Sequence, residues 1–376
     1  MRFKVKTWVW RLLALVIFVG PVGCSDVAFK SGINEVCQQY QRDFGGTDCG
    51  VDSNGLTSFH YSINVGVVDL LFVNDNSTSM YPEQSEMALR FPGFLDSISR
   101  LDYRLAMITT DWTKNPGGFL TFPNGQKSLA NSSRVIDATH TSNIAQFQST
   151  IKREETAKCE ASGFTDASCP TGDERGIYNL NKALERADQR SFFRPGGHLA
   201  VIILSDEDER SNSGGFTGYP LEDLDKPLTF VKNTKAYLGE TKTVSVHSII
   251  IRPNDTNCFN AQNRQAGVKG FYGHLYSQLS LPNNELMAAG NIIAGGTGSI
   301  CSNNYTTELG DIATKINQTL KTIQLPCRPD QDVVDVTFDP VPSSQIYYTV
   351  DADKRLQLSP AAPAGTKVSL SYKCRI

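Results

Sequence analysis

Three short stretches of this chain gather oxygen donors at spacings that suit a hard metal ion. Asp75-Asn76-Ser77-Thr78-Ser79 puts one carboxylate and two hydroxyls, Asp75, Ser77 and Ser79, at alternate positions. Ser205-Asp206-Glu207-Asp208-Glu209 sets four acids in a row. Adjacent carboxylates repel one another unless water or a cation neutralises them. Thr171-Gly172-Asp173-Glu174-Arg175-Gly176 offers a further oxygen from Thr171, Asp173 or Glu174. Such ligands suit Mg²⁺, Mn²⁺ or Ca²⁺ rather than zinc or copper. Each stretch also has a plain structural reading. The first is a Ser/Thr-rich turn that caps a helix, the second a solvated acidic loop, the third a helix start that prefers acids in its first turn.

The elements around these stretches bear on that choice. Val67–Val73 and Leu199–Leu204 are continuous apolar runs, as expected of strands buried on both faces. Tyr103–Thr109 and Val244–Ile251 read as further strands. Helical spacing is expected over Glu83–Ser99, kinked or broken at Pro92, and over Asn143–Glu154, Gly176–Arg190, Leu221–Leu238, Leu275–Leu279, Glu285–Ile293 and Tyr305–Thr322. Strands alternating with helices predict an α/β fold, a doubly wound and mostly parallel sheet. In such a sheet ligands bind at the carboxyl ends of the central strands. Asp75, Ser77, Ser79 and Asp206 then share one edge, and Thr171 and Glu174 lie on that edge by chain direction. Tyr61–Val65 is expected as an edge strand. Beyond Pro326 the pattern changes to short alternating runs, Val333–Phe338, Ile346–Val350, Arg355–Leu358 and Val368–Tyr372, which predict a small C-terminal β appendage.

The start of the chain reads as a targeting segment. Arg2, Lys4, Lys6 and Arg11 precede the apolar Leu12–Val19, and Pro21-Val22-Gly23-Cys24 follows. A Cys after a small residue at that place resembles a bacterial lipobox. That resemblance implies lipidation of Cys24 and attachment to a membrane, and Ser25 after it implies the outer membrane. The expected organisation is a signal peptide with lipobox over 1–24, a tether over 25–60, a main domain over 61–326 and the β appendage over 327–376. Of nine cysteines, the eight beyond Cys24 are an even number in an exported chain and are expected as disulfides. Sequence neighbours suggest Cys37–Cys49, Cys159–Cys169, Cys258–Cys301 and Cys327–Cys374. A net charge of −3 gives no footprint for nucleic acid.

Taken together, the three stretches resemble the von Willebrand factor type A domain. Its metal-ion-dependent adhesion site has Asp-x-Ser-x-Ser after the first strand, a Thr from a later loop and an Asp after the fourth strand. Asp75, Ser77 and Ser79 match the first element and Asp206 the last. Thr171 stands nearest the family's Thr. Glu174 is its rival, because the local run is more like the Gly-x-Glu-Arg/Gln-Gly of bacterial members. The resemblance covers about residues 66–322. It implies a divalent cation with an open position, taken by an acidic group of a partner protein or peptide.

Other chemistries have less support. Asp75, Ser77, Ser79 and Glu86 fit positions 1, 3, 5 and 12 of an EF-hand count, but Met80 sits where Gly is needed and a strand precedes. HExxH, GxSxG, Walker A and GxGxxG motifs are absent. The expectation is therefore a binding module and not an enzyme. The rival readings are a metal-dependent hydrolase with Glu207 or Asp208 as base, and a structural envelope protein whose site is unused.

Overall fold

The computed structural model describes residues 52–122, 134–137, 139, 143–153, 158, 169–171, 173–211, 219–239, 242–264, 270–325, 327–352, 354–363 and 365–375. Cys24, Cys37, Cys49 and Cys159, and with them the signal segment, the lipobox and the expected tether up to residue 51, lie outside these residues; of the rest of that tether, Thr57 onward is strand and not linker.

The centre is a six-stranded sheet in the order β4-β3-β2-β5-β6-β7. Its strands are β2 (Val67–Asn74), β3 (Asp102–Thr109), β4 (Ile136–Asp137), β5 (His198–Leu204), β6 (Val244–Ile250) and β7 (Ile292–Ser299). All neighbours run parallel except β3 and β4. Every residue of β2, β5 and β6 is buried, which is what their unbroken apolar runs require of strands covered on both sides. Helices α1 (Tyr81–Ser97), α2 (Asn143–Ile151) and α8 (Thr306–Thr319) cover one face. Helices α3 (Gly176–Glu185), α4 (Pro227–Leu238), α6 (His274–Ser280) and α7 (Asn284–Ala289) cover the other. A short helix, α5 (Thr256–Gln262), is tied to the loop after β7 by the Cys258–Cys301 disulfide. This is the doubly wound α/β fold that the sequence predicts. The chain leaves β2 toward β3 and returns through β5 to β6 and β7, so the sheet reverses direction between β2 and β5. That is where such sheets open a crevice at the strand carboxyl ends.

Two local expectations change. Pro92 neither breaks nor ends α1, which runs on to Ser97. Proline removes the N–H that would bond the carbonyl four residues back. Here that carbonyl, on Ala88, accepts instead from Gln148 Nε2 of α2 at 2.7 Å. The predicted helix over Glu285–Ile293 ends at Ala289, and Ile292–Ser299 becomes strand β7. Its sequence, IIAGGTGS, is poor in β-formers. The glycines are needed where a side chain at Gly295 would stand 1.8 Å from the Val246 carbonyl oxygen, beside a register shift between Ser245 and His247.

The β appendage draws on more of the chain than 327–376. One antiparallel sheet has the order β1-β12-β9, and a second β10-β11-β8. Strand β1 (Thr57–Asn64), the predicted edge strand, pairs along its whole length with β12 (Lys367–Cys374) and not with the central sheet. Strand β8 (Thr322–Gln324) follows α8 directly and pairs with β11 (Arg355–Ser359). With β9 (Asp335–Asp339) and β10 (Tyr347–Val350), they enclose a separate core of Phe59, Leu325, Leu356, Leu358, Val368 and Leu370. The Cys327–Cys374 disulfide closes it. Cys169 is also disulfide-bonded. Formed disulfides suit an oxidising compartment, as an exported chain meets. Among the described residues no helix is long and apolar enough to cross a membrane.

Candidate functional site

Strands β2 and β5 each extend one residue past their formal ends. Asp75 N–H donates to the Leu204 carbonyl at 3.0 Å and Ser205 N–H to that of Ile249 at 3.2 Å. Asp75 and Asp206 therefore emerge side by side at the point where the sheet reverses, both fully buried. The turn after β2 is built from within. Asp75 Oδ1 accepts the Ser77 N–H at 2.8 Å, and the Ser77 and Ser79 hydroxyls lie 2.9 Å apart. Asp75 Oδ2 accepts from the Ser205 hydroxyl at 2.5 Å, which joins the two strand ends directly. Gln84 of α1 donates to the Asp75 carbonyl at 2.8 Å, and Thr110 and the Asp111 N–H both donate to Asn76 Oδ1 at 3.1 Å. Residue type and spacing give no reason to assign Ser205, Gln84 or Thr110 to this turn. Only contact across the sheet edge reveals them.

The acidic run after β5 is not a solvated loop. Asp206, Asp208 and Glu209 have no exposed surface. Asp208 accepts the Leu275 N–H on both oxygens, at 3.0 and 3.2 Å, which caps α6. Glu209 accepts the N–H groups of Ile177 and Tyr178 at 2.6 and 3.0 Å, which caps α3 from a different part of the chain. Helix N-termini welcome such carboxylates. Burial still pushes Asp208 up to about 7, against the pull of these N–H groups. Two of the four acids thus hold the helices that flank the site. The other two face it. Neither oxygen of Asp206 has a formed hydrogen bond, although Ser79 stands close enough to favour its anion. Glu207 accepts from the Ser211 hydroxyl and meets the carboxyl of Glu174.

The third stretch separates its candidates. Thr171 is half-buried and its hydroxyl accepts the Asp173 N–H at 3.1 Å. Asp173 pairs with Arg210 at 3.0 Å. Glu174 is buried, forms an antiparallel bridge with Asp111, and has Oε2 without a hydrogen-bond partner. It feels the charges of Glu207, Asp75 and Asp206. It does not cap α3, because Glu209 does. The next residue, Arg175, is held by Asp225 and Glu222 and lies over the ring of Tyr178. Gly176 follows because a Cβ there would come within 2.8 Å of the Tyr276 hydroxyl.

Burial is the main force on all four facing carboxyls. It raises Asp75, against hydrogen bonds from Ser205 and Ser77. It raises Asp206 well above the carboxylate range, and the charges of Asp75 and Glu207 add to this. Glu174 is likewise raised well up by burial, then by Glu207 and Asp75. Glu207 is pushed to about 8 by burial and by Asp75. No Lys, Arg or His among the described residues forms an ion pair with Asp75, Asp206, Glu174 or Glu207. Among the described residues no three His, Cys, Asp or Glu side chains are arranged to hold a metal by themselves. The donor set here mixes carboxylates with the half-buried hydroxyls of Ser77 and Ser79. Buried carboxylate oxygens without partners, among hydroxyl oxygens, fit a hard divalent cation.

No family model and no curated protein matches the chain. Solved structures do. The pilus adhesin SpaC of Lactobacillus rhamnosus GG, in its open conformation, is 11% identical over 87% of this chain and 41% of its own, with a TM-score of 0.35. Proximal thread matrix protein 1 of the mussel byssus is 12% identical over 68% of this chain and 47% of its own, TM-score 0.31. The manganese-loaded TRAP protein of Plasmodium vivax is 13% identical over 59% of this chain and 74% of its own, TM-score 0.25. This chain spans less than half the length of the first two. These are distant likenesses, and nothing about a ligand or a partner follows from them.

Proposed function

We propose that this chain is an exported binding module that holds a divalent cation at the β2–β5 edge and uses it to grip an acidic group of a protein or peptide partner. Asp206 is the observation that carries the reading. It is fully buried beside Asp75, and neither of its oxygens has a hydrogen-bond partner. An isolated buried carboxylate is costly unless it is neutralised or paired. Asp75, Asp206, Ser77 and Ser79 would hold the ion, with Thr171, whose hydroxyl accepts the Asp173 N–H, and Glu174 as the two alternatives for one further oxygen. The cation supplies positive charge that lets two anionic surfaces meet. A lipid on Cys24 and the tether after it would keep the site near an outer membrane. A base role for Asp208 finds no support, since it caps α6. Calorimetry with Mg²⁺, Mn²⁺ and Ca²⁺ tests the reading. Wild type is expected to bind at least one of them and Asp75→Ala none; a wild type that binds no divalent ion removes its basis.

A further inference from the structure

The β appendage carries a groove of about 400 Å³ on its β10-β11-β8 sheet, where α8 ends. Small-ligand sites span about 300–1,000 Å³. The pleat decides what the groove presents. Tyr348, Leu356 and Leu358 turn into the appendage core, so Tyr347, Thr349, Gln357 and Ser359 face out, all exposed. Register sets them in two rows. Thr322, Gln357 and Thr349 run across β8, β11 and β10, and Ser359 stands beside Tyr347. Leu358 N–H donates to the Lys321 carbonyl at 3.1 Å, which fixes the end of α8 as one wall.

The lining has no Asp or Glu. Its one charge, the Lys321 ammonium, forms no ion pair among the described residues. A cation just past a helix end suits the helix dipole, and that role leaves the ammonium open to an anion. The other groove of the appendage differs: it includes Asp330 and Asp335, and its Lys373 is already paired with Asp52 at 2.9 Å. Tyr347 is 62% exposed, the largest ring surface the appendage offers. An open aromatic face, a row of groups that both donate and accept, and an uncommitted cation together match a sugar ring with a carboxylate. The C–H bonds of a pyranose are slightly positive and pack on the negative face of an aromatic ring. Hydroxyls and amides answer sugar hydroxyls, and the ammonium takes the carboxylate. An extended acidic peptide would add along a strand edge and make no use of this face.

We propose that this groove binds an acidic saccharide, a glycan containing hexuronate, with a sugar ring on Tyr347 and a carboxylate at Lys321. The proposal is independent of the cation reading. Helix α8 starts beyond the carboxyl end of β7 and finishes toward the opposite edge of the sheet, so the groove and the β2–β5 edge lie at opposite ends of the central sheet.

Calorimetry on the full chain in chelator tests this, with hexamers of galacturonate, mannuronate and hyaluronan as probes and hexaglutamate beside them. Wild type is expected to bind at least one of the three glycans, with an affinity that falls in about 0.5 M NaCl, and hexaglutamate at least about ten-fold more weakly. Y347A should weaken the glycan at least about ten-fold through the lost ring contact, and Y347F should not. K321Q should lower both the affinity and its salt dependence. Both side chains are exposed, so the unfolding midpoints should match wild type. If Y347A does not fold, K321Q carries the test. Binding of none of the three glycans overturns the proposal, as does unchanged affinity in Y347A and K321Q. Hexaglutamate bound as tightly as the best glycan overturns it in favour of an acidic peptide.

Discussion

Strand β2 carries two buried aspartates, one near each end, and their surroundings are opposite. Asp69, at the start, accepts from Arg194 Nε and backbone N–H at 2.8 Å each and from Lys242 Nζ at 2.6 Å. Lys242 spends its other hydrogens on the carbonyls of Arg194 and Gly197. Arg194 reaches on to Asp102 of β3 and to the Val68 carbonyl. The Asp75 carboxylate, past the other end, accepts from the Ser205 hydroxyl and the Ser77 N–H, and its charge is felt by Asp206, Glu207 and Glu174. Both residues are fully buried. One end brings its own cations and serves as a fastener between strand and loop. The other has no such cations among the described residues, and it is there that the proposed divalent ion would act.

The largest effect is expected at the fastener. Asp69→Ala would strand Lys242, which is buried, and loosen Arg194. Removing one partner of a buried pair costs about 3–5 kcal/mol. Urea denaturation should show that loss unchanged by chelator or by added Mn²⁺. A loss that shrinks with Mn²⁺ would break the distinction between the two ends.

At the open end the sign reverses. Asp206→Asn removes a buried charge that has no partner, so the chelated variant should be at least as stable as chelated wild type. Saturating divalent ion, at a hundred-fold over its Kd, should then stabilise wild type by about 2.7 kcal/mol and leave the variant unmoved. Thermal unfolding with and without Mn²⁺ measures both. A chelated variant that is clearly less stable would mean that Asp206 already has its compensation within the fold.

Sequence pattern reveals some of this and hides the rest for identifiable reasons. Strands β2 and β5 are legible because burial on both faces demands unbroken apolar runs, and the oxygen-rich turns after them stand out by contrast. Asp69 sits inside such a run and is overlooked, since its partners lie 125 and 173 residues away. The acidic run could be read only as charge. That Asp208 and Glu209 cap two helices depends on where α6 and α3 begin in space. Strand β7 is hidden by its glycines, which answer to the close approach of β6 and not to strand propensity. Strand β1 is legible as a strand, but its partner, β12, is at the far end of the described chain.

pH separates the two kinds of buried group further. Glu207, ordinarily at 4.5, is raised to about 8 in the fold, so the native state holds its proton longer than the unfolded one. Stability from this group is present below 4.5 and is lost as pH rises toward 8. His198 and His247, linked through Ser245 at 2.8 and 2.9 Å, move the other way. Burial holds both near 3 against an ordinary 6.5, with Lys315 facing His247 and His247 and Lys242 facing His198. Their contribution is lost as pH falls from 6.5 toward 3. Chelated protein should therefore lose stability on both limbs, by less than the cation effect on the alkaline one. Saturating Mn²⁺ should flatten the alkaline limb and leave the acid limb in place. Denaturation midpoints across pH 3–8 read both, and a cation effect on the acid limb would tie the histidines to the site.

The smallest change in stability is expected where the proposed function predicts a clear change in binding. Ser77 is half-buried, and its hydroxyl lies against that of Ser79 and beside the Asp75 carboxyl, while the turn itself is held by the Ser77 N–H, which any residue but proline supplies. Ser77→Ala should thus leave chelated stability within about 0.5 kcal/mol of wild type. The hydroxyl matters in the other state, as a neutral oxygen that adds to the cation's shell without adding charge. Mn²⁺ affinity by calorimetry should fall while the chelated unfolding midpoint stays put. At Asp69 no such separation is available, because every group there already has its partner in the fold. If Ser77→Ala lowered stability and left Mn²⁺ affinity untouched, the hydroxyl would belong to the turn, and the ligand set would shrink to carboxylates and Ser79.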